Sequence, residues 1–263
     1  MTDRPALLPR HAFSLGLFGL AAAFGGLVLA WPFLFPTLRG GGDTAWVTVS
    51  LLALCLLGTF VDAGEGALTP RVIALLAVLV ALNSILRFAE NALPGPGEFS
   101  PVFALIILAG YAFGARFGFL TGALTLLVSA IITAGVGPWL PYQMFTAGWV
   151  GLSAGWLPGR AAAQPGRRAV IGLMAFGVVW GFLYGAIMNL SFWHLYAGTG
   201  AWAPGLGPLD TLQRYATFYA LTSALPDAFR ALGNAALIGL FGAPTLAALW
   251  RTRRSLSFTH TTA

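Results

Sequence analysis

Long apolar blocks separated by clusters of glycine, proline and arginine recur along the whole chain, and they decide its solvent. Residues 72–86 and 117–132 are two such blocks, and their length matches bilayer thickness better than it matches the core helix of a soluble domain. Only 8% of the 263 residues are charged, against about a quarter in a soluble globular domain. A chain of this kind is expected to be an all-α integral membrane protein.

Eight membrane segments are expected, at roughly 12–35, 45–61, 71–89, 101–114, 117–134, 141–157, 169–190 and 228–250. Breaker clusters mark their ends: Arg39 to Asp43, Leu93 to Gly97, Gly135 to Pro138, and Pro158 to Gly166. The first segment follows Arg4 and Arg10 as a signal peptide would, but it exceeds the 7 to 15 residues of such a signal's apolar region and ends without a small-x-small site. It reads as a retained helix.

All fourteen basic residues are arginines, and they sit singly or in short clusters at block ends. That placement fits membrane orientation and not nucleic-acid binding, which uses basic patches interleaved with polar residues. With the N-terminus in the cytoplasm, ten arginines lie inside (4, 10, 71, 116, 160, 167, 168, 251, 253 and 254) and four outside (39, 87, 214 and 230). Both termini are therefore expected in the cytoplasm of a multi-pass cell-membrane protein.

Two irregularities interrupt the pattern. Residues 101–114 would give a helix of about 21 Å, shorter than the roughly 30 Å hydrocarbon core. Residues 191–227 form a connection far longer than the others, rich in Trp, Tyr, Gly and Pro. Short or interrupted segments are where a membrane protein can turn backbone polar groups towards a ligand. The outer connections 90–101, 135–141 and 191–227 are thus expected to rim one extracellular cavity.

Small residues recur at helical spacing. Ala74, Ala77, Ala81 and Ser84 share one face of the third segment, where another helix could approach closely, either within the bundle or from a partner. Gly118 with Gly122, and Gly177 with Gly181 and Gly185, read as tight packing inside the bundle. Gly151-Leu-Ser-Ala-Gly155 matches the G-x-S-x-G nucleophile pattern, but that elbow needs a strand-to-helix turn and Ser153 lies within an apolar helical segment. The nearest candidate base, His194, lies at the far end of another segment, about 18 Å away in depth. A membrane hydrolase is therefore a poor fit, and the chain is not expected to be an enzyme. No metal-ligand set, cofactor motif or phosphate-binding loop occurs, so any ATP hydrolysis belongs to other subunits. The single cysteine, Cys55, reads as a buried inert thiol.

Polar groups inside or just above apolar segments carry more information. Gln143, Asn189 and Asn234 are amides that must find hydrogen-bond partners in the bundle or in a ligand. Trp139, Tyr142, His194 and Arg230 fall near the same outer level, with aromatic anchoring at the interface as the alternative role. These seven residues form the expected ligand site. Arg87 and Glu90, at i and i+3, are spaced to pair with each other.

Several strings resemble the substrate-binding S components of energy-coupling factor (ECF) transporters: Phe99 to Phe103, Ile107 to Gly114, Arg116 to Ala123, and above all Gly135-Val-Gly-Pro-Trp-Leu-Pro-Tyr-Gln-Met144. The stretch from Arg214 through Asp227, Arg230 and Asn234 to Arg254 is similar as well. The resemblance implies a six-helix bundle over residues 70–254, with an additional pair of transmembrane helices in residues 1–69 and a cytoplasmic tail at 255–263. It implies capture of a vitamin or related micronutrient, with the Gly-Pro-Trp members similar to those assigned to cobalamin. It further implies a transmembrane coupling subunit and separate ABC ATPases as partners, docked through an A-x-x-x-A motif that Ala77 and Ala81 match. A secondary transporter of a small molecule is the main alternative.

Overall fold

The computed structural model describes residues 16, 19–20, 22–27, 29, 49–50, 53–54, 57, 69–92, 100–137, 139–157, 166–193, 200–203 and 205–257. Seven helices have defined limits among them: α1 (Pro70–Ala92), α2 (Val102–Phe113), α3 (Ala115–Ile132), α4 (Leu140–Ala154), α5 (Arg167–Trp193), α6 (Pro208–Thr222) and α7 (Ala224–Ser257). α1, α3, α5 and most of α7 are long and apolar enough to cross a membrane. The chain is a multi-pass all-α membrane protein.

The short segment expected at 101–114 is the centre of the bundle. α2 has 12 residues, and eleven of them, Val102 to Ala112, are buried. A helix that is apolar all round belongs inside a larger structure, and α1, α3, α4, α5 and α7 all pack around this one. Its length of about 18 Å needs no match to the bilayer, because its neighbours shield it from lipid.

α2 and α3 are joined through one residue, Gly114, whose φ of 102° is open only to glycine without strain. The joint brings Gly110 and Gly118 to the same point on α4. A Cβ on either would strike the carbonyl oxygen of Gly151, a Cβ on Gly122 would strike that of Ala147, and one on Gly155 would strike the backbone of Ala115. Three helices thus meet backbone to backbone. Gly151 and Gly155 of the G-x-S-x-G string are used for this contact. Between them, Ser153 donates to the Trp149 carbonyl at 2.6 Å and accepts the Trp180 indole N–H at 3.1 Å.

The connection expected as a loop at 191–227 contains a helix, α6. Its start carries the local signals for one: Pro208 in the first turn and Asp210 near the positive end of the helix dipole. Its polar face makes it too hydrophilic for the apolar-block criterion that finds the other helices. At the opposite end of the bundle, Arg253 donates to the Ala112 carbonyl at 2.9 Å, which places the end of α7 beside the end of α2.

The described part of the N-terminal segment packs on α4. Phe24 meets Phe145 edge to face at 6.3 Å, a Cβ on Gly25 would enter the Phe145 ring, and Leu54 lies against the core. Much of residues 1–69, Cys55 included, lies outside the described residues.

Because Gly151 touches Gly118 with no room for a methyl group, Gly151→Ala should separate α3 from α4 and destabilise the bundle by about 1–3 kcal/mol. Gly172→Ala, at a position with nothing within 4 Å, should be neutral. Thermal unfolding of the two variants in the same detergent checks the difference.

Candidate functional site

The seam between α5 and α7 is a polar ladder seated on glycines. Gly177, Gly181 and Gly185 face α7, where a Cβ would meet Asn234, Ala231 and the Asp227 carboxylate in turn. The missing side chains leave the space in which these residues sit.

Within that space Asp227 and Arg230 form an ion pair at i, i+3, at 1% and 6% exposure. Charges this deep in a membrane protein are costly and require partners. Arg230 also donates to the Gly181 carbonyl at 3.4 Å, and its guanidinium lies 5.4 Å from the Tyr184 ring centre. Tyr184 in turn stacks at 4.5 Å on Phe103 of the central helix. On the other side, Tyr219 of α6 donates to Asp227 at 2.8 Å.

α6 is tied down by two further hydrogen bonds. Tyr215 donates to the Ala186 carbonyl, and Asn189 donates to Ser223, between α6 and α7, at 2.7 Å. Burial, then the charge of Asp227, push the Tyr215 phenol up to about 12. Burial, the hydrogen bond to Asp227 and its charge raise Tyr219 as well. Both phenols therefore remain hydrogen-bond donors at physiological pH.

Asn234, fully buried, donates to the Gly177 carbonyl at 3.0 Å. Its amide oxygen, also buried, has no hydrogen-bond partner. Asn189, Arg230 and Asn234 thus share one seam.

A second group begins α4. Trp139, 49% exposed, donates its indole N–H to the Gly135 carbonyl at 3.2 Å. Tyr142 and Gln143 are half-buried, and Gln143 accepts from Arg87 of α1 at 3.5 Å. Arg87, spaced to pair with Glu90, reaches across to α4, while Glu90 accepts from Ser100 at 2.9 Å. Thr146 and Met188, 3.9 Å apart, join the two groups from α4 to α5. His194 lies outside the described residues.

Ala77 and Ala81 are exposed on α1, alongside Ile73, Val78, Leu82 and Ile85. Ser84, placed on the same stripe by spacing alone, is buried instead. Among the described residues no group of three His, Cys, Asp or Glu could hold a metal ion.

The family model described as "ECF transporter, substrate-specific component" matches residues 71–229, from the first turn of α1 into the first turns of α7. The chain belongs to that family. As a substrate-specific component it is a transport subunit within the membrane, and its family works with a transmembrane coupling subunit and ATPases. Comparisons with curated proteins and with solved structures give no match.

Tyr184 and Tyr219 are residues of this seam that sequence reasoning missed, and Asp227, legible as an ionisable residue near the outer level, was not paired with Arg230. The i, i+3 spacing of Asp227 and Arg230 is the one local signal that could have found the pair. Asp227→Asn should leave Arg230 buried without its counter-charge and destabilise this S component by about 3–5 kcal/mol. Asp227→Asn combined with Arg230→Gln should recover a large part of the loss, as read from thermal unfolding of the single and double variants.

Proposed function

We propose that this S component captures a vitamin-type micronutrient from the outer face and passes it to a coupling subunit driven by separate ATPases. The family match over α1 to the start of α7 carries this reading. Orientation comes from the arginines: Arg71, Arg116, Arg167, Arg168, Arg251, Arg253 and Arg254 gather at one end of the helices, against Arg87, Arg214 and Arg230 towards the other. The arginine-rich end, with both termini, faces the cytoplasm. Residues 70–254 are the capturing domain.

The ligand sits among the outer ends of α2, α4, α5 and α7, contacted by Trp139, Tyr142, Gln143, Asn189, His194, Arg230 and Asn234. Aromatic rings supply area and amides supply direction, as in most small-molecule sites. Arg230 is already neutralised by Asp227, so it acts as an oriented donor and not as a free cation. Asn234 contributes an acceptor that has no partner within the protein.

Ala77 and Ala81 dock the coupling subunit. Their small side chains lie exposed on α1, where a partner helix can come close. The described N-terminal residues pack on α4 and leave this face open.

Mass spectrometry of small molecules retained through purification, with co-purification of coupling and ATPase subunits, tests the reading as a whole. Recovery of a secondary-transport activity without those partners would overturn it. Ala77→Trp and Ala81→Trp should abolish uptake while ligand binding to the isolated chain stays within about two-fold, because a bulky side chain blocks helix approach far from the outer site. Equal loss of binding and uptake would remove the docking assignment. Gln143→Ala should weaken binding about five- to 150-fold, the equivalent of an amide partner lost at roughly 1 to 3 kcal/mol. Binding unchanged in both Gln143→Ala and Asn234→Ala would move the site elsewhere.

A further inference from the structure

We propose that the cleft between the N-terminal segment, the C-terminal end of α5 and the start of α6 is a seat for one acyl chain of a bilayer lipid. The cleft measures about 670 Å³ and is walled by Leu29, by Leu190 and Trp193 of α5, and by Leu206, Leu212 and Tyr215 around α6. Its two lining hydroxyl groups give their protons to the backbone: Tyr215 donates to the Ala186 carbonyl and Thr211 to the Gly207 carbonyl at 2.9 Å. The remaining lining side chains are apolar or aromatic, and covering such surface with hydrocarbon removes it from water, which is favourable.

The occupant is therefore apolar, and the setting says where it comes from. The walls run directly into surface that this membrane protein turns to lipid: Leu20 and Leu27 on the N-terminal segment are 62% and 49% exposed, and Leu209 and Leu212 on α6 are 67% and 63% exposed. Along α6, Leu209, Leu212, Ala216 and Ala220 make an exposed apolar strip beside exposed Gln213, Arg214 and Thr217. A helix divided in this way lies at the boundary of acyl chains and head groups. The cleft is continuous with the protein's lipid-facing surface, and a hydrocarbon chain from the adjoining leaflet fills it. Because Gly26 and Leu29 form one wall, the seat exists only where the additional N-terminal segment is present, and the lipid joins that segment to α6.

Gly26 provides the test. A Cβ placed there meets nothing within 4 Å, so Gly26→Phe starts from open space and puts a ring into the cleft. Gly19, equally open but not a lining residue, gives Gly19→Phe as the matched control, and Leu212→Gln puts a polar group on the wall as a second variant. The full chain in detergent is titrated with dioleoylphosphatidylcholine, and bound copies are counted by native mass spectrometry. The natural chain and Gly19→Phe should retain one lipid, and Gly26→Phe and Leu212→Gln should bind it at least about ten-fold more weakly. Glycerophosphocholine, the same head group without chains, should bind to none of them. Equal lipid retention by Gly26→Phe and Leu212→Gln overturns the proposal, and so does binding of glycerophosphocholine. Loss of micronutrient binding with lipid binding intact would also overturn it, by assigning the cleft to the transported ligand.

Discussion

The contact of three helix backbones at Gly151 is the constraint on which the rest of this bundle depends. Between helices in lipid there is no hydrophobic driving force, since the alternative neighbour is as apolar as leucine. Association rests on close packing and hydrogen bonds. Gly110, Gly118 and Gly151 provide the closest packing available, because none has a side chain to hold the helices apart. The tight joint at Gly114 delivers two of those three glycines to the same carbonyl. With α2 fixed at the centre in this way, the other helices have a cylinder to pack around.

The same device serves a second purpose on the other side of the molecule. At the α5–α7 seam, glycines make room for polar groups and not for another backbone. Asp227, Arg230 and Asn234 need that room, because a buried ion pair is tolerable only when its remaining donors and acceptors are met. The Gly181 carbonyl, the Tyr184 ring and the Tyr219 hydroxyl meet them. Tyr219 also makes α6 part of the arrangement, so the outer connection and the polar seam hold each other in place. The buried oxygen of Asn234, which has no hydrogen-bond partner, is the exception.

The parts of the chain divide along these lines. One face of α1 stays exposed with its alanines, α4 takes the N-terminal segment on Phe145, and the polar ladder lies between α5 and α7. The described residues of the N-terminal segment thus leave the small-residue face exposed. The exposed alanines, the polar seam and the Phe145 contact of the N-terminal segment lie on different surfaces of one core.

The sequence by itself determined the solvent, the helical class and the glycine spacings, because bilayer thickness and the 3.6-residue period act on any chain locally. It also marked Asn189, Arg230 and Asn234, since an amide or a cation in an apolar run must have a partner somewhere. It did not say which partner. Arg87, spaced for Glu90, reaches Gln143 on another helix, and Ser84, on the alanine stripe by spacing, turns into the core. α6 was hidden because its exposed side mixes Leu209 and Leu212 with Gln213, Arg214 and Thr217, which blurs the apolar pattern that betrays a spanning helix. Only the tertiary structure decided that α2 is the centre, that the glycines of α5 cradle polar side chains, and that Asp227 faces Arg230 and Tyr219. Each of these depends on which helix lies opposite, and that is set by packing between segments distant in the chain, about which spacing within one helix carries no information.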